Sequence, residues 1–509
     1  SFSVSNYVLT TQDGTRYEIH DQRGLDRLTD REGNQFTFAR DRITSNVGVE
    51  IAMARDAFGR ITSMTDPRGG IIEYRYDAVG NLTEVEDQAG GVQTYVYDGE
   101  HGLLRVLGPD GNPVIRTEYD EDGRKVRDVD ALGNETVYDY DFDNRIQTVT
   151  NRRGDVIVYE YSEIGQILSR VDEMGNEATF DYNALEQLVG ETLPDGSTFG
   201  YAYDARGNQT RVTLPTGESN TFAFDAFGQP VAMTDPAGHV NRMTYDASGR
   251  LTSIENGAGH VLTLEYDANG NRQAVVEPDG QRTTYGYDAL GNITNMARDG
   301  GFTRTYAYNA ASEMTRLVDS DGNAMDLDYD AVGRLQRVVD PLGGEIIAER
   351  DGLGRITRLT DADGSVRRYR FEPRGLMEAI TDPNGGETTY AYDAEGALVG
   401  LTYPDGAEVQ LTRDAGGRIT SRRDPLGNVA SYQLDAMGRV ISRTDRNGDP
   451  IVYEYNTLGD MVRRSDADGE TTYEYDTVGR LTRVVSIEDV IVYEYDEDDR
   501  LVAEEPLAG

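Results

Sequence analysis

The chain has 509 residues, including 57 glycines, 32 tyrosines and no cysteine, and its formal net charge is −42. The lack of cysteine excludes disulfides and thiolate metal sites. Such acidity argues against a nucleic-acid groove, which needs clustered cations, and no run approaches the ~20 apolar residues that span a bilayer. The charge suits a solvated acidic surface, a salty habitat or a cationic partner.

The dipeptide Tyr-Asp, or a degenerate copy such as Arg350-Asp351 or Arg413-Asp414, recurs every 21 residues from Tyr119 to Tyr455, sixteen times in succession. A fixed period of this length indicates one supersecondary unit stacked many times. Length alone would suggest about three or four domains, but the repeat predicts one continuous array. We divide it into irregular N-terminal repeats (1–60), a regular array (61–485) and a last, degenerate repeat (486–509).

The first element of each repeat is predicted to be a strand with two tyrosines, such as Tyr74 and Tyr76. Residues two apart in a strand lie on one face. The residue between the tyrosines is often acidic, as Glu160 and Glu454 are. One face is therefore predicted to be a tyrosine ladder and the other face charged.

A turn is predicted next, because Asp favours turn starts through its side chain and Gly supplies positive φ. We assign the Tyr, Asp and Gly of this segment structural roles. Representative positions are Tyr76, Asp77, Gly80, Tyr203, Asp204, Gly207, Tyr329, Asp330, Gly333, Tyr475, Asp476 and Gly479.

The second strand carries apolar residues three apart, as in Leu251/Ile254 and Leu481/Val484. A flat strand would place these on opposite faces, so either both faces are partly buried or a β-bulge intervenes. A bulge would also bend the sheet, as a curved shell requires.

A second turn, Asp-Pro-x-Gly in residues 340–343, closes the unit. Each repeat is thus a hairpin, and about 24 copies give on the order of 48 antiparallel strands. Twisted open sheets rarely exceed ~10 strands without curling. The ribbon is therefore expected to spiral, to close into a wide tube or to fold back.

The pattern weakens toward the C-terminus, where the spacing falls to 20 residues before Tyr475 and Tyr495 and Asp499 replaces the turn glycine. Repeat arrays need atypical caps, and no cap sequence is visible. We expect the chain to be an excerpt of a longer polypeptide.

These units resemble the Rhs/YD-repeat family, whose signature runs Tyr-x-Tyr-Asp-x-x-Gly-Arg-Leu-Thr and then Asp-Pro-x-Gly. Residues 330–335 with 340–343, and residues 475–482, match it almost residue for residue. The resemblance implies an all-β spiralling sheet that forms a hollow cocoon or tube. In bacterial polymorphic toxins and in the B–C components of Tc toxin complexes, such shells enclose a toxic C-terminal domain, whereas in animal teneurins a similar barrel serves adhesion.

The lack of a cysteine-rich module favours the bacterial branch. The resemblance then implies an exported, secreted or cell-surface shell around a toxin or other cargo polypeptide. Secretion-apparatus or capping domains of the same chain are further expected partners. The alternative is an open or filamentous repeat protein for adhesion or interbacterial contact.

Catalytic and ligand-binding interpretations are weaker. The family's aspartyl self-cleavage motif is not found in this sequence, so none of its protease residues can be carried over. Four histidines, His20, His101, His239 and His260, lie in different repeats without ligand spacing, whereas metal sites need three or four convergent ligands. We expect no catalytic residue, metal or cofactor, although calcium binding by Asp-rich turns such as residues 319–323 stays open.

Overall fold

The structure is a computed structural model that describes residues 6–11, 14–30, 33–444, 448–496 and 500–507. The expected irregularity at Asp499 lies outside the described residues. The described part of the chain forms 49 β-strands and no helix. The predicted all-β hairpin array, with on the order of 48 strands, is therefore confirmed.

The strands are β1 (Asn6–Thr10), β2 (Arg16–His20), β3 (Gly24–Thr29), β4 (Gln35–Phe38), β5 (Arg42–Ser45), β6 (Glu50–Arg55), β7 (Ile61–Thr65), β8 (Ile71–Tyr76), β9 (Leu82–Glu86), β10 (Val92–Tyr97), β11 (Leu103–Leu107), β12 (Pro113–Tyr119), β13 (Lys125–Val129), β14 (Glu135–Asp141), β15 (Ile146–Thr150), β16 (Val156–Tyr161), β17 (Ile167–Val171), β18 (Glu177–Tyr182), β19 (Leu188–Thr192), β20 (Thr198–Tyr203), β21 (Gln209–Thr213), β22 (Ser219–Phe224), β23 (Pro230–Thr234), β24 (Val240–Tyr245), β25 (Leu251–Glu255), β26 (Val261–Tyr266), β27 (Arg272–Val276), β28 (Arg282–Tyr287), β29 (Ile293–Arg298), β30 (Phe302–Tyr308), β31 (Met314–Asp319), β32 (Ala324–Tyr329), β33 (Leu335–Val339), β34 (Glu345–Arg350), β35 (Ile356–Thr360), β36 (Val366–Phe371), β37 (Met377–Thr381), β38 (Glu387–Tyr392), β39 (Leu398–Thr402), β40 (Glu408–Arg413), β41 (Ile419–Arg423), β42 (Val429–Leu434), β43 (Val440–Thr444), β44 (Pro450–Tyr455), β45 (Met461–Asp466), β46 (Gly469–Tyr475), β47 (Leu481–Val485), β48 (Val490–Tyr495) and β49 (Leu501–Leu507).

All 49 strands belong to one sheet that does not close on itself. Each strand pairs antiparallel with the next strand in the chain, from β1 with β2 to β48 with β49. Because only neighbours in sequence pair, the sheet is a continuous meander, and each hairpin can form from local contacts.

A β-bulge explains the apolar residues three apart in the second strand. Tyr76 pairs with Leu82 and Arg75 pairs with Glu84, so Thr83 is the extra residue. The bulge returns Leu82 and Val85 to the tyrosine face, since Val85 pairs with Tyr74. The Thr83 hydroxyl donates a 3.2 Å hydrogen bond to the Arg75 carbonyl, which accounts for the threonine that follows leucine in so many repeats.

Both turns of the hairpin use one hydrogen-bond scheme, that of a three-residue loop with a left-handed glycine. In the first turn Asp77 N–H donates to the Asn81 carbonyl and Gly80 N–H to the Asp77 carbonyl. Gly80 has a φ of 108°. Within the described ranges His101, Glu186 and Ser312 occupy the place of this glycine and hold φ values of 71°, 65° and 62°.

The wall is one sheet thick. The accessible surface is 29,010 Å², whereas a compact chain of this mass would expose about 18,500 Å². Among the described residues no large side chain is fully buried. In β8 exposure alternates strictly, with Ile72, Tyr74 and Tyr76 on the half-buried face. Stability must therefore come from contacts between neighbouring hairpins rather than from a core between two layers.

The turn glycine has a measurable role. Gly165 has a φ of 86° and an added Cβ would meet no atom within 4 Å, so Gly165→Ala isolates backbone strain of roughly 1–2 kcal/mol. We expect Gly165→Ala to lower the melting temperature and to speed amide exchange in the adjacent turn. Glu186→Gly should do the reverse, because it relieves the same strain at the equivalent position.

The matched control is Gly200→Ala, which lies within β20 without positive φ and brings a Cβ only to 3.5 Å from Thr213. It should leave the melting temperature unchanged or raise it, because alanine is less flexible when unfolded. Equal destabilisation by Gly165→Ala and Gly200→Ala would contradict the strain argument.

Candidate functional site

The Tyr-Asp segment links each hairpin to the next through a chain of side-chain contacts. In one complete example, Arg250 Nε donates a 2.7 Å hydrogen bond to Asp246 Oδ2. The Arg250 guanidinium lies 4.8 Å from the centre of the Tyr266 ring, in the next repeat. The Tyr266 hydroxyl donates a 2.8 Å hydrogen bond to the Leu251 carbonyl, back in the first repeat. Aspartate, arginine and tyrosine thus act together across the boundary between repeats.

The tyrosine-to-carbonyl bond recurs along the wall. The acceptor is the carbonyl of the first residue in the second strand of the preceding hairpin. Among the representative tyrosines, the pairs are Tyr76 with Ile61 at 2.9 Å, Tyr203 with Leu188 at 2.8 Å, Tyr329 with Met314 at 2.9 Å and Tyr475 with Met461 at 2.9 Å.

Arginine substitutes for tyrosine in three degenerate copies and keeps a bond to a carbonyl 15 residues earlier, as Arg55 Nε does to the Arg40 carbonyl at 2.8 Å. Arg350 Nη2 donates to the Leu335 carbonyl at 3.2 Å, and Arg413 Nη2 donates to the Leu398 carbonyl at 2.8 Å. Arg350 and Arg413 also donate to the carbonyls of their own turn glycines, Gly354 and Gly417. The copies with arginine are therefore chemically equivalent links, which the residue identities alone do not reveal.

The Asp of the segment organises its own turn. Asp77 Oδ1 accepts N–H bonds from Val79, Gly80 and Asn81, and Oδ2 accepts from the Asn81 amide. In Asp204, Asp330 and Asp476 the same oxygens serve the turn and the residue four positions on. The partner glycines Gly207, Gly333 and Gly479 all have positive φ. The structure places these residues in a row along one rim and does not gather them into a pocket.

The second turns of the hairpins in one superhelical turn meet the first turns of the hairpins in the next. Arg68, in the turn after β7, forms a 2.6 Å ion pair with Glu313, in the turn after β30. Arg153, after β15, pairs with Asp393, after β38, at 3.2 Å. Asp195, after β19, pairs with Arg439, after β42, at 3.1 Å. In each case the partners lie 23 strands apart, so one superhelical turn holds 23 strands.

These contacts define a seam, by which we mean the line where the second-turn rim of residues 47–279 faces the first-turn rim of residues 290–500. Its ion pairs are more buried than those on the charged face. Arg153 and Asp393 expose 19% and 18% of their side chains, whereas Arg75 and Glu73 expose 45% and 53%. Apolar residues join in, since Val47 and Pro67 line a cleft together with Leu290 and Ala310.

Rim residues outside the seam show what the seam covers. Leu342 occupies the third position of a turn on a free rim and is 97% exposed. Leu353 occupies the same position at the seam, lies against Gly108 and is 39% exposed. The seam therefore holds neighbouring superhelical turns together through turn residues rather than through strand pairing. Sequence reasoning missed these residues, because partners about 243 positions apart leave no local signal.

One repeat carries a polar cluster on the tyrosine face. Asp128 is 6% exposed and accepts hydrogen bonds from Thr117 Oγ1 at 2.8 Å, Lys125 Nζ at 2.7 Å and the Tyr138 hydroxyl at 3.1 Å. Burial acts to raise the pKa of Asp128, but Lys125 and Thr117 outweigh it and hold that pKa below its ordinary value. Every polar partner is satisfied, so this cluster, which contains the only lysine, is a structural ion pair.

The candidate ligand residues stay apart. No group of three or more His, Asp or Glu side chains suited to a metal ion occurs among the described residues. In the Asp-rich turn that could resemble a calcium loop, Asp319 Oδ1 accepts the N–H groups of Asp321 and Asn323. None of the helices that a membrane span would require occurs in the described ranges.

Comparison with known families places the chain. The teneurin YD-shell model matches residues 223–367 and 351–507, which together cover more than half of the chain. The RHS repeat model matches residues 55–87, 76–113 and 203–240. The protein therefore belongs to the family of YD-shell proteins built from RHS repeats, as the sequence resemblance indicated.

Solved structures share the fold. A crystal structure of TcdB2-TccC3-TEV matches with a TM-score of 0.70 and 12% identity, over 98% of this chain and 40% of that chain. A crystal structure of TcdB2-TccC3 matches with a TM-score of 0.67 and 14% identity, over 99% of this chain and 35% of that chain. A structure of the Photorhabdus luminescens Tc holotoxin pore matches with a TM-score of 0.65 and 13% identity, over 93% of this chain and 30% of that chain. No curated protein sequence matches the chain. The chain thus spans less than half the length of these structural relatives.

The tyrosine-to-carbonyl bond yields a substitution test. Tyr266→Phe removes the hydroxyl and leaves the Leu251 carbonyl without that donor, which should cost about 1 kcal/mol of local stability. Tyr266→Arg should retain most of it, as Arg350 and Arg413 do. Amide exchange of β25 and β26 measures the effect.

Tyr306→Phe is the control for this test, since the structure gives the Tyr306 hydroxyl no hydrogen bond among the described residues. Its exchange rates should match those of the unmodified protein. If Tyr306→Phe and Tyr266→Phe open their hairpins equally, the hydroxyl bond is not the link between repeats.

Low pH should destabilise the whole wall. Burial acts to raise the pKa values of Asp330 and Asp476, but hydrogen bonds from Arg334 and Arg480 outweigh it and lower both. At the seam, burial likewise acts to raise the pKa of Asp195, but Ser197 and Arg439 outweigh it and lower that pKa. Carboxylates with a depressed pKa in the folded state stabilise it above their unfolded pKa, and this stabilisation is lost as pH falls through the folded value.

We therefore expect the melting temperature to be nearly constant from about pH 7 to 5 and to fall steeply below about pH 4. Thermal unfolding followed by circular dichroism across this range measures it. A melting temperature that holds constant down to about pH 2 would show that the turn carboxylates contribute nothing.

Proposed function

We propose that this chain forms part of a shell that encloses a cargo polypeptide, and that the cargo is the toxin domain of a bacterial Rhs-type protein. The observation that carries the proposal is the seam. It joins a wall one sheet thick to itself after every 23 strands. A wall that meets itself around a full superhelical turn separates an inner space from solvent.

The dimensions are compatible with a polypeptide inside. At ~4.8 Å per strand, 23 strands give a circumference of about 110 Å and a wall diameter of at least about 35 Å. Strand tilt widens this further. With side chains of ~5 Å on each inner side, a bore of about 25 Å remains, which admits an extended chain or a helix, about 10–12 Å across.

The family and fold support the same reading. The chain belongs to the YD-shell family, and its fold matches structures described as TcdB2-TccC3 and as a Tc holotoxin pore. Within this proposal the protein acts without chemistry of its own, by sequestration, and is exported with its cargo. The seam also disfavours the alternative of an open filamentous protein, because a filament would need no contact between superhelical turns.

Protection of a reporter tests enclosure. An unstructured reporter fused directly after Gly509 should be cleaved by protease at least tenfold more slowly than the same reporter placed behind a long Gly/Ser linker. Combined Arg68→Ala, Arg153→Ala and Arg439→Ala substitutions should remove that protection, because they release the seam.

The control for this test combines Arg75→Ala, Arg337→Ala and Arg463→Ala, which break exposed ion pairs on the charged face. Exposed pairs contribute little, so protection should persist. Equal cleavage of both reporters in the unmodified shell would refute enclosure.

A further inference from the structure

Three successive hairpins place an arginine at one position on the tyrosine face. Arg443 pairs across the sheet with Tyr432, and Arg464 pairs with Tyr453. Arg422 pairs with Ala430, which lies two residues from Tyr432 and therefore shares its face. We call Arg422, Arg443 and Arg464 the arginine ladder. Most repeats have Val, Ile or Leu at this position, as Val85, Ile254 and Val484 illustrate.

The ladder lies in a cationic part of a strongly acidic protein. Strands β41, β42 and β43 contain Arg422, Arg423 and Arg443 and no aspartate or glutamate, although the chain holds 91 acidic residues. The two faces of this stretch of wall are otherwise lined by neutral residues such as Ser431, Gln433 and Ser442.

Two of the three ladder arginines are available to bind an external ligand. Arg422 and Arg443 are exposed, and within the described ranges neither has a hydrogen-bond or ion-pair partner. Arg464 forms an ion pair with Asp466 and exposes 36% of its side chain. This contrasts with Arg337, Arg370 and Arg463 on the charged face, each of which pairs with two carboxylates. Arg422 and Arg443 can therefore bind an external anion on the tyrosine face, where most repeats have an apolar residue at this position.

The spacing of the ladder selects the shape of the anion. Its arginines lie on alternate strands, so their Cα atoms are about 9.6 Å apart. A polyproline II chain has three residues per turn and rises ~3.1 Å per residue, which places every third side chain on one side at about 9.3 Å. An extended β-strand cannot match this, because residues three apart point to opposite sides. The long arginine side chain absorbs the few ångströms that wall curvature adds or removes.

Aromatic rings complete the surface. Tyr432 and Tyr453 are half-buried and lie between the ladder arginines on the same face. Rows of aromatic rings bind proline-rich segments in the polyproline II conformation, whose ordering cost on binding is low. Arginine adds planar, charge-assisted hydrogen bonds to carboxylates.

We propose that β41–β45 bind an acidic, proline-rich polypeptide segment in the polyproline II conformation, with a carboxylate at every third residue. The segment crosses the strands, with successive carboxylates on Arg422 and Arg443 and the intervening residues on Tyr432 and Tyr453. This assignment is independent of enclosure, since it concerns which peptide the face binds. The global charge of −42 does not prevent it, because charges beyond about 8 Å are screened at physiological ionic strength.

Fluorescence anisotropy with synthetic peptides tests the assignment at physiological salt. The probe is a labelled peptide of four Glu-Pro-Pro units, and the comparison peptide has the same composition with its glutamates adjacent. We expect the spaced peptide to bind at least tenfold more tightly. Arg422→Gln with Arg443→Gln should weaken its binding at least tenfold.

Arg423→Gln is the matched control, because it removes one charge from the adjacent residue on the opposite face and should change affinity less than twofold. Arg422→Glu with Arg443→Glu should instead bind a peptide of Lys-Pro-Pro units, which shows that the altered face is still folded. Inorganic polyphosphate serves as a probe for unspecific anion binding.

Three results would overturn the proposal. They are equal affinity for the spaced and the clustered peptide, equal weakening by Arg423→Gln, and polyphosphate binding as tight as that of the spaced peptide. The first result would show that the spacing of the carboxylates does not matter. The second would show that the tyrosine face is not the binding surface, and the third that the protein attracts anions in general rather than a peptide. None of them bears on protease protection by the seam, so this proposal and enclosure fail separately.

Discussion

The contact of each hairpin with the preceding one is the constraint on which the rest of the wall depends, and in many repeats a tyrosine hydroxyl makes this contact by donating to a carbonyl of the preceding hairpin. A single sheet without a second layer has no shared core, and lone hairpins are marginally stable. Each hairpin must therefore be stabilised by its neighbours. The phenol ring of Tyr266 supplies apolar area and a cation–π contact with Arg250, while its hydroxyl bonds to Leu251. The stability of the array is then a sum over neighbouring hairpins.

The seam works on a different scale. Along the sheet, every hairpin is joined to the next by backbone bonds, whereas adjacent superhelical turns meet through turn residues such as Arg68 and Glu313. The wall is thus strong along its spiral and weaker between its turns. A wall built this way can separate along the seam without unfolding its hairpins.

The two faces of the sheet differ in chemistry. On the charged face, residues beside the tyrosines, such as Arg75 and Glu84, form exposed ion pairs. The tyrosine face is mostly neutral and aromatic, so a few charged residues there stand out. Lys125 and Asp128 neutralise one another, whereas Arg422 and Arg443 do not, and this difference separates a structural pair from a binding surface.

Local residues determined the repeat unit. The tyrosine face and the glycine turns were readable from the sequence, because the interactions that form a hairpin lie within about 21 residues of one another. The sequence left two explanations for the spacing of Leu251 and Ile254, and the pairing of Tyr245 with Leu251 and Met243 with Ile254 shows that the β-bulge is the one present. Family membership followed from the same local pattern.

The tertiary structure alone decided how the ribbon closes. The number of strands in a superhelical turn depends on small twists and bends summed over 23 hairpin strands, and no single residue encodes that sum. The sequence therefore gave no reason to connect Asp195 with Arg439. It likewise gave no reason to treat Arg350 as an equivalent of tyrosine, because that equivalence rests on a shared carbonyl acceptor rather than on similar side chains. Chain neighbours fix the unit, and the accumulated curvature of the sheet fixes the shell.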